Sequence, residues 1–132
     1  MSQKYDMTIG GRRVGADSYQ EIRNPANGSV VGLYPMGTEA HLEQAIAAAR
    51  KAFASWRNSD DAARAAACQA IAKVVGDSAP ELSVLLTREQ GKPLKGLGSE
   101  FELGGCAAWA GFTATQSLPV KVLEDSPKNH IE

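Results

Sequence analysis

A helix that runs into Gly91 has to stop there, and a helix that follows has to open at Pro93. Glycine takes the left-handed conformation that ends a helix. Proline has no N–H with which to continue the helix behind it, but its fixed backbone angle suits the first turn of the one ahead. The stretch Leu86-Thr87-Arg88-Glu89-Gln90-Gly91-Lys92-Pro93-Leu94 therefore reads as a tight interhelical elbow with Arg88, Glu89 and Lys92 around it. The rest of the chain has to arrive at that joint as helix and leave it as helix.

Upstream, the signals begin as short strands. Met7-Thr8-Ile9 meets the turn pair Gly10-Gly11 and returns as Arg12-Arg13-Val14, which predicts a small hairpin. Tyr19 to Arg23 alternates apolar and polar residues, passes through the turn formers Asn24-Pro25-Ala26-Asn27-Gly28, and returns as Ser29 to Tyr34. Asn27-Gly28-Ser29 also spells a glycosylation sequon, but with no secretion signal in MSQKYDMTIGG it reads as a turn. Residues 1–36 are thus expected to form two hairpins, too small to be stable alone.

Residues 38–118 carry helical periods. Thr38 is a good N-cap with Glu39 in the first turn, and Leu42, Ala45, Ile46, Ala49, Phe53 and Trp56 share one face expected to be core. A second, alanine-rich helix starts at Ser59 or Asp60 and is expected to end at Gly76. Ser78-Ala79-Pro80-Glu81 has the spacing of a capping box, predicting a third helix with Leu82, Leu85 and Leu86 buried. Beyond Pro93, Leu94, Leu97, Phe101, Ala108 and Phe112 keep a helical period. Gly96, Gly98, Gly104, Gly105 and Gly111 interrupt it, each costing about 1 kcal/mol against Ala, so packing has to hold that helix. In 119–132 the period changes: Val120 to Leu123 reads as strand, Glu124 to Pro127 as turn, and Asn129 to Glu132 as the start of a returning strand. The expected class is α+β: two short N-terminal β-hairpins, a cluster of about four α-helices, and a C-terminal strand or hairpin on which the chain stops mid-element.

Composition excludes several function classes. Net charge is −1 with no dense Lys/Arg run, which argues against a nucleic-acid partner. The apolar runs break well short of a membrane span, and without a signal-peptide core the expected location is cytoplasmic. Cys68 and Cys106 have no CxxC spacing and no neighbouring histidine, and both are expected to be reduced core thiols. His41 falls on the solvent side of a helix start and His130 near the chain end, so neither spacing argues for a Cys–His dyad. Gly96-Leu97-Gly98-Ser99-Glu100-Phe101 begins like a dinucleotide fingerprint. It has Phe101 where the third Gly belongs and follows an elbow instead of a strand. Gly91-Lys92 is followed by Pro93, which rules out a P-loop, and Glu100 and Glu102 point to different faces of a helix. On its residues alone the chain offers no catalytic group, no cofactor-binding group and no metal cluster.

A resemblance adds what the residues alone do not. Ile9-Gly10-Gly11 is similar to the opening hairpin of NAD(P)-dependent aldehyde dehydrogenases. Asn24-Pro25-Ala26-Asn27-Gly28 resembles that family's NPATG turn, with Asn27 in place of the usual Thr. Ala45 to Trp56 is similar to its AVAAARAAFxxW helix, Arg64 fits the arginine that follows, Leu85 to Leu94 fits LLTxEQGKPL, and Glu100 matches the glutamate after that motif. The resemblance implies the front part of the Rossmann-like NAD(P)-binding half of a longer enzyme. In that family the PWN asparagine, the phosphate loop, the base glutamate and the catalytic cysteine lie further along the chain. It implies NAD or NADP as cofactor of the whole enzyme. It also implies the remainder of the chain as partner, and a homo-oligomer, dimer or tetramer. The last helix would border a substrate entrance, with Phe101, Leu103, Cys106 and Ala107 as candidate lining. Ile22 and Arg23, through backbone carbonyls near the NP turn, and Glu89 would be candidates to hold a structural cation, Glu89 being equally readable as a helix-end carboxylate paired with Arg88 or Lys92. The stretch is expected to be inactive by itself. The alternative is a non-catalytic helical module derived from that family, dimerising through the surface left uncovered.

Overall fold

The computed structural model describes residues 3–117 and 119–131. Leu118 and Glu132, where sequence periodicity put the ends of the last helix and the returning strand, lie outside the described residues.

Both N-terminal hairpins form. β1 (Met7–Ile9) pairs antiparallel with β2 (Arg12–Val14) across Gly10-Gly11, Met7 opposite Val14. β3 (Tyr19–Arg23) pairs with β4 (Val30–Pro35), Tyr19 opposite Pro35, with a register shift between Ile22 and Arg23. In the turn between them Gly28 alone has a positive φ; Asn27 does not. Gln3 to Tyr5, which carried no strand signal, run parallel to β4: Tyr5 N–H donates to Leu33 O at 3.0 Å, and Leu33 N–H to Gln3 O at 2.9 Å.

α1 (Glu39–Trp56) starts from Thr38, whose hydroxyl accepts from His41 N–H, while the Thr38 N–H donates to His41 Nδ1 at 3.1 Å. His41 thus fills the place that Glu or Gln takes in a capping box. The apolar stripe of α1 is not core. None of its residues is buried: Leu42 is 58%, Phe53 59% and Trp56 48% exposed. The helix packs only on β1 among elements with substantial contact. Periodicity identified the apolar face correctly, but the described residues supply little to cover it.

Among the described residues the helices number three, where the sequence suggested about four. α2 (Asp61–Gln90) runs unbroken through Gly76, Ser78 and Pro80, from an Asp60 cap that accepts Ala63 N–H at 2.7 Å to Gly91, φ 71°. Pro80 removes a ladder bond at a cost of about 3 kcal/mol in an isolated helix. Here α3 (Ser99–Thr113) lies antiparallel along both sides of that point. A Cβ added at Gly111 would touch Ala72 at 3.8 Å, one at Gly76 would touch Ala107 at 4.0 Å, and Thr87 and Ser99 hydroxyls bond at 2.8 Å. Packing on both flanks overrides the break that Gly76-Asp77-Ser78 would otherwise make.

α3 opens at Ser99, not Leu94. Residues 91–98 form a compact turn in which Ser99 N–H donates to Pro93 O at 2.9 Å and Glu100 N–H to Leu94 O at 3.0 Å. Gly96 and Gly98 therefore interrupt no helix, and of those five glycines Gly104, Gly105 and Gly111 sit inside α3. A Cβ at Gly98 would lie 1.9 Å from Pro93 O, so backbone packs directly on backbone there.

At the carboxyl end, β5 (Glu124–Asp125) pairs with β6 (His130–Ile131), and Leu123 N–H reaches Ile131 O at 2.8 Å. The strand thus falls on Glu124 and Asp125, read from sequence as turn, and Val120 to Leu123, expected to be strand, lie outside it. The reversal is closed one step later by Ser126, whose hydroxyl bonds the Glu124 carboxylate and accepts Asn129 N–H, each at 3.0 Å.

Val31 is the one hydrophobic side chain buried among the described residues. The accessible surface is 10080 Å², whereas a compact monomer of 13.9 kDa exposes about 6,700 Å². Nor are the cysteines core residues: Cys68 is half-buried beside the α2–α3 groove, and Cys106 is exposed.

Candidate functional site

Three features are candidates for a site, two of them at the elbow and the third further along α3. The first is the joint itself. Gly91 N–H donates to Thr87 O at 2.8 Å, and Pro25 from the β3–β4 turn packs against the glycine so closely that a Cβ there would lie 2.6 Å from Pro25 Cγ. The NPANG turn and the EQGKP elbow, far apart in sequence, are one structural unit. Lys92, only one-fifth exposed, pairs with the carboxylate of Glu102 and ties the elbow to the first turns of α3.

The second is a cavity of about 150 Å³ beneath it, lined by Tyr5, Ile22, Val31, Gly32, Tyr34, Leu85 and Glu89. Ile22 and Glu89 meet there. The Arg23 guanidinium bonds the Glu21 carboxylate and Gly28 O, which leaves its backbone carbonyl as the group the cation expectation concerns. Glu89 forms no ion pair among the described residues: Lys92 goes to Glu102, and Arg88 does not pair with it. Glu89 is the sole carboxylate on a largely apolar wall, whereas a hard cation such as calcium takes six to eight oxygens. No group of three or more His, Cys, Asp or Glu side chains gathers among the described residues. The side chains present do not make a metal site by themselves.

The third is an open apolar groove of about 330 Å³ on the outer face of α3, lined by Gly105, Ala108, Trp109 and Phe112. The Trp109 and Phe112 rings meet edge to face, centroids 6.0 Å apart, with Trp109 70% and Phe112 56% exposed. Two glycine and alanine floors beneath two aromatic walls make a surface for an apolar group and offer no polar handle. Among the sequence-based candidates, Phe101 is exposed, Leu103 and Ala107 are half-buried with Ala107 on the side of Gly76, and Cys106 is exposed. None of them lines the groove. Side chains turn about 100° per residue on a helix, so candidates close in sequence spread around α3. The i, i+3, i+4, i+7 set 105, 108, 109, 112 was legible as one face had period been weighted over proximity to the motif.

Chemistry from these residues is limited. His41 is held by Thr38 and His130 by Asp125, so neither imidazole serves a thiol. The start of α3 is not a phosphate cradle, because its first N–H groups, at Ser99 and Glu100, already donate to Pro93 and Leu94, and Glu100 and Glu102 add negative charge. That helix start does not fit the pyrophosphate of a dinucleotide. The ammonium of Lys73 is held above its usual range by its hydrogen bond and charge pairing with Asp77, on open α2 surface away from the groove. No helix among the described residues is long and apolar enough to cross a membrane.

The fold, the elbow and the motif order have a known counterpart. Residues 14–128 match the model of the aldehyde dehydrogenase family. The chain belongs to the aldehyde dehydrogenase family. It is 39% identical over 122 residues to a probable aldehyde dehydrogenase of Pseudomonas sp, covering 92% of this chain and 25% of that protein. A 1-pyrroline-5-carboxylate dehydrogenase of Bacillus licheniformis is 42% identical over 95 residues, 70% of this chain and 18% of the relative. Among solved structures, lactaldehyde dehydrogenase from Escherichia coli superposes with a TM-score of 0.85 at 25% identity, over 95% of this chain and 27% of that one. The chain thus spans about a quarter or less of the aldehyde dehydrogenases it matches. The α+β architecture expected from sequence is that of these neighbours.

Proposed function

We propose that this chain is the amino-terminal part of an NAD(P)-dependent aldehyde dehydrogenase, inactive by itself and working as a scaffold for the remainder of the enzyme. The carrying observation is the excess of exposed surface over a compact monomer, with large apolar side chains exposed on all three helices, in a chain that covers a quarter of its Pseudomonas relative. On this reading those side chains are covered by the remainder, which also supplies the thiolate that attacks the aldehyde and the nucleotide that accepts hydride. The groove of Gly105, Ala108, Trp109 and Phe112 then borders the path by which the aldehyde enters. The whole enzyme would be a cytoplasmic homo-oligomer.

The test is complementation. The chain is expressed alone and together with the downstream three quarters of the Pseudomonas relative, and aldehyde-dependent reduction of NAD and NADP is followed. Activity only in the combined preparation is expected. Aldehyde oxidation by the chain alone would overturn the inactive half of the reading, and failure to associate with the remainder would overturn the scaffold half.

The same uncovered faces support a second reading, a non-catalytic module that covers them with another copy of itself. A monodisperse monomer in light scattering at high concentration would exclude it.

A further inference from the structure

The β3–β4 turn holds a reactive pair. Asn27 is followed by Gly28, both exposed, and it is the one asparagine in the chain with glycine after it: Asn24 precedes Pro25, Asn58 precedes Ser59, and Asn129 precedes His130. With no side chain on Gly28, no Cβ hinders approach of its backbone nitrogen to the side-chain carbonyl carbon of Asn27. The folded turn adds a second element. Asn27 Oδ1 accepts from Ser29 N–H at 3.0 Å and from the Ser29 hydroxyl at 2.7 Å. Two donors on one amide oxygen are the arrangement that stabilises negative charge developing there when the carbon is attacked.

We infer that Asn27 is a self-modifying site, deamidated through a succinimide with Ser29 as the oxyanion donor. The Gly28 nitrogen gives its proton to solvent and forms a bond to Asn27 Cγ. Charge moves to Oδ1 under the Ser29 donors. The Cγ–Nδ2 bond then breaks, and the amide nitrogen takes up a proton and leaves as ammonia. Water opens the ring at either carbonyl, leaving an aspartyl or isoaspartyl linkage at position 27. One water is consumed, one ammonia released, and no oxidant or cofactor is needed.

One contact restrains the reaction. Gly28 N–H donates to Asn24 O at 2.7 Å and must let go first, a hindrance worth about fivefold at the strength of an ordinary hydrogen bond. The Ser29 donors act against that loss to the extent that they strengthen as charge develops on Oδ1. The product alters the joint. Arg23 already reaches this loop, Nη1 donating to Gly28 O at 3.0 Å, so a new carboxylate would meet a guanidinium. An isoaspartyl linkage would lengthen the backbone of a turn whose Pro25 is seated on Gly91. This inference does not rest on the family reading.

The whole chain is aged under native conditions at mildly alkaline pH beside Ser29→Ala and Asn27→Thr, with the wild type and Ser29→Ala also aged in denaturant. Ammonia loss is mapped by peptide mass, and isoaspartate by a methyltransferase specific for its carboxylate. Modification is expected to concentrate at position 27 and to vanish in Asn27→Thr. In Ser29→Ala, with the fold verified by circular dichroism, it should slow about fivefold, and that difference should disappear in denaturant. Modification led by another asparagine, an unchanged rate in Ser29→Ala, or an equal slowing in denaturant would each overturn the inference.

Discussion

Gly91 and Pro25 are packed so tightly that a methyl group on the former would sit 2.6 Å from Cγ of the latter. The contact joins the end of α2 to the turn between β3 and β4, and Gly91 makes it while holding φ at 71°. Gly91→Ala meets both penalties, a left-handed backbone costing about 1–2 kcal/mol and a collision with a rigid ring. Chemical denaturation should show a loss of about 2–4 kcal/mol. Pro25→Ala in the same background should recover the collision part. A double-mutant cycle giving no coupling between the positions would refute the contact's role.

Gly98 faces a harder constraint, because the atom 1.9 Å from its added Cβ is the Pro93 carbonyl oxygen and no side chain can move aside. Gly98→Ala should open the 91–98 turn and release the start of α3, at a cost above about 4 kcal/mol. Hydrogen exchange at the Ser99 and Glu100 amides reads this directly: protection there should be lost while that in the middle of α1 persists.

The capping residue of α1 is improvable. His41 accepts the Thr38 N–H through Nδ1, a task a carboxylate performs with the added benefit of negative charge at a helix N-terminus. His41→Glu is expected to stabilise the protein by about 0.5–1 kcal/mol, whereas His41→Ala destabilises it by a similar amount. Thermal unfolding of the pair decides; equal midpoints would mean the box contributes nothing.

Two buried serines between α2 and α3 should respond in opposite directions. Among the described residues Ser83 Oγ has no hydrogen-bond partner, while Ser99 Oγ bonds Thr87 Oγ1 at 2.8 Å. Ser83→Ala removes an unsatisfied hydroxyl and should be neutral or stabilising by up to about 1 kcal/mol. Ser99→Ala strands the Thr87 hydroxyl and should cost about 1–3 kcal/mol. Urea midpoints moving the same way for both would contradict this assignment.

Local chemistry fixed much of this molecule in advance. Gly10-Gly11 and the NPANG turn placed both hairpins, Thr38 the start of α1, and Gly91 the end of α2, because each acts through its own backbone or the next few residues. The pairing of Pro25 with Gly91, the Lys92–Glu102 tie, and the running of α2 through Pro80 were decided by tertiary packing, since each needs groups distant in sequence to meet. The groove on α3 shows the division most plainly. Period alone could name Gly105, Ala108, Trp109 and Phe112 as one face, but only the antiparallel seating of the opposite face on α2 determined that this one stays open. A helix period fixes which residues stand together; what covers them depends on the free energy of packing against surfaces elsewhere.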